Sequence, residues 1–191
     1  RGGAMQNSVP NGEGGMLAIL GQKIEDLEKI LNDNKNNFQA QIANDNSDGQ
    51  IILSGKSKDL QILSEFFKDN KIKNIKLPVS APFHCNLMSK ATEVMTKELQ
   101  KINFEESKNI LISNVTADEI SNIDDLKSLL INQIENRVRW RESILNMISK
   151  GVNQFIEIGP GKVLSGLVKR INKDVKISSI NSQSDIESLN I

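Results

Sequence analysis

The chain reads as an α/β protein in two parts, and three observations carry that reading. Short apolar or alternating runs of strand length are interleaved with 3.6-period apolar faces of helix length along the 191 residues. Between residues 15 and 79 these patterns fall in the order β-α-β-β-α-β, the order of a ferredoxin-like unit complete in itself. After residue 80, single strands separated by helices take over, which implies a layered α/β sheet.

The elements follow in order. Gly12, Gly14 and Gly15 make a flexible lead-in to the apolar run 16–20, the first strand. Residues 23–32 place Ile24, Leu27, Ile30 and Leu31 on one helical face. After the polar break 32–37, residues 39–43 form a short strand, and Asn46-Ser47-Asp48-Gly49 reads as a turn. Residues 50–54 are a buried strand that Gly55 ends, and 56–69 carry Leu60, Leu63, Phe66 and Phe67 at helical spacing. Residues 73–79 put Ile75, Leu77 and Val79 on one face of a strand. Beyond residue 80, helices are predicted over 88–102, 123–135, 140–150 and 162–171, and strands over 110–113, 155–158 and 176–180. Asn122 is placed as an N-cap, with Asp124 and Asp125 in the first turn where the helix dipole favours them. Gly151 is placed as a C-cap residue, and the tail from Ser182 carries no pattern.

Composition excludes several classes of function. Lysine plus arginine and aspartate plus glutamate both number 24, so no net field attracts nucleic acid or anionic lipid. No apolar run approaches the roughly 20 residues of a membrane helix. One cysteine excludes an internal disulfide and suits a reducing cytoplasm. One histidine and one cysteine supply too few ligands for a metal centre. The chain starts Arg1-Gly2-Gly3-Ala4-Met5 without an initiator methionine, which is read as the start of a piece of a longer polypeptide.

His84 is the one side chain whose unperturbed pKa lies near neutrality. It sits in Pro78-Val79-Ser80-Ala81-Pro82-Phe83-His84-Cys85, where two prolines predict an extended path leading into a loop. Such a loop on a rigid scaffold suits a catalytic base; from position alone, packing or capping of the helix that begins near Leu87 is the commoner role. Cys85 reads as a small buried thiol, because neighbours in an extended segment point to opposite sides. Gly159-Pro160-Gly161-Lys162 lacks the spacer and the Ser/Thr of a phosphate loop, although the helix it opens has an N-terminus free to face a ligand.

Seven stretches in order carry a resemblance: Arg1-Gly2 with Val9-Pro10; Gly14-Gly15-Met16-Leu17; Asn46-Ser47 with Gly49-Gln50; Val79-Ser80-Ala81-Pro82-Phe83-His84-Cys85-Asn86; Ser113-Asn114-Val115-Thr116; Gln133 with Val138-Arg139-Trp140; and Phe155-Ile156-Glu157-Ile158-Gly159-Pro160-Gly161. Together they resemble the C-terminal two thirds of the malonyl-CoA:acyl-carrier-protein transacylases. The resemblance implies an α/β-hydrolase-like large subdomain from residues 1–14 and 80–191, with a ferredoxin-like small subdomain inserted at 15–79.

It also implies the chemistry: malonyl transfer from malonyl-CoA to the phosphopantetheine thiol of acyl carrier protein, through a malonyl-serine. His84 becomes the general base and acid, oriented by the backbone carbonyl of Gln133 rather than by a carboxylate. Arg1 matches the arginine that pairs with the malonyl carboxylate, a geometry suited to guanidinium. Phe83 matches a position where a bulky ring disfavours a 2-methyl branch, and Asn46 a supporting position nearby. Arg137 stands where many relatives have proline. No cofactor beyond the two substrates, no nucleic acid and no membrane is implied, and the complete protein is expected to be a cytoplasmic monomer. The family's Gly-x-Ser-x-Gly elbow occurs nowhere in the chain, so the chain alone is expected to be inactive. A non-catalytic ferredoxin-like binding module and an acyltransferase domain of a larger synthase are the competing readings.

Overall fold

The computed structural model describes residues 1–189; Asn190 and Ile191, the end of the expected stretch 80–191, lie outside the described residues. A short helix α1 (Gly2–Gln6) leads to strand β1 (Gly14–Leu20), α2 (Ile24–Asp33), β2 (Ala40–Ser47), β3 (Gln50–Lys56), α3 (Ser57–Asp69) and β4 (Lys73–Lys76). The four strands form one antiparallel sheet in the order β2-β3-β1-β4.

Period-two alternation decides what each face of this sheet does. Leu17, Ile19, Ile51 and Leu53 point to the side covered by α2 and α3, where they meet Leu27, Leu60, Leu63 and Phe67 in the main core. Truncating one of these to alanine costs about 2–5 kcal/mol. Met16, Ala18 and Ile52 point the other way and, with Ala43, form a second apolar layer under Leu77, Val79 and Phe83. That second face carries the histidine loop.

The remaining chain comprises a 3-10 turn (Asn86–Met88), α4 (Ser89–Gln100), α5 (Ile123–Asn132), α6 (Trp140–Ser149), β5 (Gln154–Ile158), α7 (Val163–Ile171), β6 (Lys176–Ile180) and α8 (Gln183–Glu187). Strands β5 and β6 pair in parallel. A third apolar cluster joins Met5 of α1 to Met88, to Ala91 of α4 and to Ile134 just after α5. The fold is thus mixed α/β with open sheets, and none of its described helices is long and apolar enough to cross a membrane.

Several expectations shift. Strand β2 runs to Ser47, so only Asp48-Gly49 turn, and Gly49 takes the left-handed φ of 73° there. Register shifts after Ile42 and after Asp45 make β-bulges. The first bulge frees backbone groups on the outer edge: Val138 N donates to Ala43 O at 2.8 Å, and Asp45 N to Val138 O at 2.9 Å. These two bonds tie the sheet to the segment entering α6. Gly55 lies inside β3 rather than ending it, where an added Cβ would meet Gln39 O at 2.9 Å. The strand expected at 110–113 reduces to a single bridge between Ile112 and Glu119, and Ile110 is exposed. Asn122 caps α5 as expected, accepting from Asp124 N at 2.9 Å.

Candidate active site

The loop after β4 leaves the sheet edge and crosses the second apolar layer. It is not extended throughout. Phe83 and His84 form a turn, and His84 takes φ 59°, a left-handed conformation that a side chain with a Cβ adopts rarely. Pro82 fixes its own φ and biases Ala81, but neither constrains the two residues that follow. The turn swings the chain into the 3-10 turn that starts α4.

The expectation for Cys85 holds on other grounds than its direction from His84. The thiol is 1% exposed and donates to Pro82 O at 3.1 Å. Burial pushes its pKa up, so it stays protonated and is no nucleophile.

The His84 ring lies with Nδ1 at 2.8 Å from the backbone carbonyl of Gln133. A carbonyl can only accept, so Nδ1 carries the hydrogen and Nε2 keeps a free lone pair. The carbonyl is available because Gln133 ends α5, and the last carbonyls of a helix lack intrahelical partners. Arg1 Nη2 donates to the same oxygen at 3.4 Å, so Arg1, His84 and Gln133 converge on one point. Burial lowers the His84 pKa, the Gln133 carbonyl opposes this, and the Arg1 charge adds to the lowering. The ring is therefore neutral at neutral pH, able to take a proton at Nε2. No carboxylate is hydrogen-bonded to it among the described residues.

Phe83 packs between the second and third apolar clusters, joining the sheet face to the layer of α1 and α4. Asn46 sits at the second bulge of β2, and its side chain has no hydrogen bond to His84, Arg1 or Gln133 among the described residues. The N-terminus of α7 is not free for a ligand: Glu157 Oε1 and Oε2 accept from Leu164 N and Ser165 N at 3.1 and 2.7 Å.

Sequence reasoning missed two groups around the site. The cleft beside His84 is lined by Glu28, Gln41, Glu135 and Arg137, and Arg137 pairs with Glu28 at 3.1 Å and Glu142 at 3.5 Å. Nearby, Asp45 is 1% exposed and holds Arg141 through two bonds from Nε, at 3.1 and 3.0 Å. A carboxylate in a strand and an arginine in the helix pattern 96 positions later carried no mutual signal. The other missed group is Ser54, a lone hydroxyl after Ile51-Ile52-Leu53, which donates to Phe83 O at 2.6 Å.

No family model matches the chain. Individual relatives do. The malonyl CoA-acyl carrier protein transacylase of Bacillus subtilis is 42% identical over 98% of this chain and 60% of its own length. The crystal structure of malonyl CoA-acyl carrier protein transacylase from Clostridium perfringens superposes with a TM-score of 0.93 at 40% identity, over 98% of this chain and 59% of that one. A malonyl-transacylase solved in complex with its type II PKS acyl-carrier protein gives a TM-score of 0.91 at 30% identity, over 98% of this chain and 61% of that one. The chain is thus similar, in sequence and in fold, to malonyl CoA-acyl carrier protein transacylases along nearly all its length, and it spans about 60% of theirs.

Proposed function

We propose that this chain is the histidine-bearing part of a cytoplasmic [acyl-carrier-protein] S-malonyltransferase of fatty-acid synthesis. In this reading residues 15–79 are a ferredoxin-like small subdomain, inserted in an α/β-hydrolase-like large one built from 1–14 and 80–191. The observation that carries the proposal is the His84–Gln133 bond, which leaves Nε2 bare on a ring that burial keeps neutral. The B. subtilis relative supports the substrates, and the neighbour bound to an acyl-carrier protein supports the partner.

The reaction runs in two balanced halves. A serine supplied by sequence outside this chain attacks the thioester carbonyl of malonyl-CoA while His84 Nε2 takes its proton. The tetrahedral intermediate collapses, the C–S bond breaks, and the departing coenzyme A sulfur recovers that proton. The phosphopantetheine thiol of acyl carrier protein then gives its proton to Nε2 and attacks the malonyl-serine, and the serine oxygen leaves with the proton returned. Imidazolium forms twice, each time stabilised through Nδ1 by the Gln133 carbonyl. Arg1 pairs with the malonyl carboxylate, Phe83 narrows the space beside the acyl group, and Asn46 supports the site. No step calls for a cofactor. Exposed Ile110, Ile158 and Val163 fit surface that further chain covers.

The test joins the chain to the segment bearing a Gly-x-Ser-x-Gly elbow and measures labelled malonyl transfer to acyl carrier protein. Activity is expected only in the joined protein and is lost in His84→Ala. Arg1→Ala is expected to weaken malonyl-CoA, not acetyl-CoA, by about 1.5–3 kcal/mol. Equal loss for both thioesters would remove Arg1 from this role, and transfer by the 191-residue chain alone would remove the outside serine.

A further inference from the structure

The left-handed turn at His84 needs a cause. A non-glycine residue stays in that region only where its surroundings over-determine it. The prolines before it do not, and the ring's bond to Gln133 orients the side chain rather than the peptide units on either side. Those peptide units are gripped from the sheet. Ser54 Oγ donates to the carbonyl of Phe83 at 2.6 Å, immediately before His84. Gln41 Oε1 accepts from the amide of Asn86 at 2.7 Å, two residues after it.

Ser54 and Gln41 are directly opposite each other in the β2–β3 ladder. Residues so paired project from the same face with Cβ atoms about 5 Å apart. They belong to the face that carries Met16, Ala18 and Ile52 rather than to the main core. Ser54 is fully buried in an otherwise apolar stretch, where a hydroxyl without a partner is costly and any small apolar residue would pack. Its one side-chain bond goes to the histidine loop. Gln41, by contrast, is exposed, as is Asn86, so this second bond lies at the surface.

We infer that Ser54 and Gln41 act as a two-point clamp that holds the peptide units around His84 in the turn, so that the four-stranded sheet positions the histidine it does not itself carry. Both are positioning residues; neither reaches the ring. The clamp deepens the proposed role of His84 and rests on that reading for its catalytic meaning, whereas its effect on the ring is measurable without any reaction. With both points engaged, the backbone holds Nδ1 against Gln133 O. With one released, the turn is free to relax toward the extended region and carries Nδ1 off the carbonyl. The charged groups facing the ring's cleft are Arg1, Glu28, Glu135 and Arg137, and none of them touches either clamp bond.

The chain holds one histidine, so every imidazole signal in a histidine-selective ¹⁵N spectrum is His84. The experiment measures Nδ1–H exchange with solvent in the full chain. It compares the parent with Ser54→Ala, Gln41→Met and Gln41→Glu. Ser54→Ala and Gln41→Met are expected to speed Nδ1–H exchange about two- to tenfold, the range one hydrogen bond represents. Gln41→Glu keeps an acceptor for Asn86 N and is expected to keep the slow exchange. If Ser54→Ala loses its dispersed amide spectrum, Gln41→Met decides alone, because its site is on the surface. Exchange equally slow in Gln41→Met and the parent overturns the clamp, as does equal acceleration in Gln41→Met and Gln41→Glu. These outcomes stand whether or not the joined protein transfers malonyl groups, so failure of the clamp and failure of the proposed function are told apart.

Discussion

Arg141→Met removes the partner of a carboxylate that is 1% exposed, and the consequence can be worked from the pair's surroundings. Asp45 takes two bonds from Arg141 Nε, with Nη2 also 3.0 Å from Oδ2. Burial raises the Asp45 pKa more than Arg141 lowers it, so the pair only partly offsets the cost of enclosing the charge. Removing one member of a buried pair typically costs about 3–5 kcal/mol. The lower end applies here, since the Arg141 side chain keeps 21% of its surface in solvent. At a urea dependence of about 2 kcal/mol per molar, a loss of about 3 kcal/mol lowers the unfolding midpoint by about 1.5 M. The single tryptophan, Trp140, sits next to the substituted position and reports the transition by fluorescence.

The pH dependence gives a second, sharper check. The folded pKa of Asp45 lies above its unfolded value, so protonation favours folding. The stability this group contributes is fully present below the unfolded pKa and is lost as pH rises through the folded one. Without Arg141 the folded pKa is higher still. The variant's deficit therefore closes as pH falls from its own Asp45 pKa to that of the parent. A deficit that stays constant from pH 7 to pH 4, or a midpoint shift below about 0.3 M at pH 7, would refute the reasoning. Asp45→Asn combined with Arg141→Met should recover most of the loss, since no unpaired charge remains.

Two further outcomes follow from the histidine loop. Burial holds the His84 pKa below its ordinary 6.5, so the neutral ring's contribution is fully present above that value and is lost as pH falls through the folded pKa; His84→Gln should flatten the fall in urea midpoint between pH 7 and 5. Gly14→Ala drives a Cβ to 2.5 Å from Cδ and Cγ of Pro82, a stiff ring beside the loop. It should cost about 1–3 kcal/mol of stability and shift the His84 imidazole signals, both measured on one purified variant.

The helices and the β1 and β3 strands were legible because apolar spacing alone places Leu27, Leu63 and Phe67 opposite Leu17 and Leu53. The polar end of β2 was not. Asn44 to Ser47 hold strand geometry through pairing with β3 and through the bridge to Val138, and neither partner is visible in the local pattern. Residues 110–113 show the converse: the run has strand composition, but its pairing stops at the single bridge between Ile112 and Glu119, so no strand forms. At the site, His84 was conspicuous as the one histidine and Gln133 entered only through resemblance. The left-handed turn was hidden, because it is imposed by Ser54 and Gln41 from a sheet distant in the chain.

The shut thiol of Cys85 makes the chain its own stopwatch. A maleimide or disulfide reagent reacts with thiolate, and this sulfur is both enclosed and held protonated, so the folded loop presents nothing to attack. Modification must wait for the segment between Pro82 and Met88 to come off the sheet. At low reagent concentration the modification rate reports the fraction of molecules in which the segment is open, and at saturating reagent it reports the rate of opening. Since the chain has no other cysteine, the reading is specific to the histidine loop and needs no engineered label.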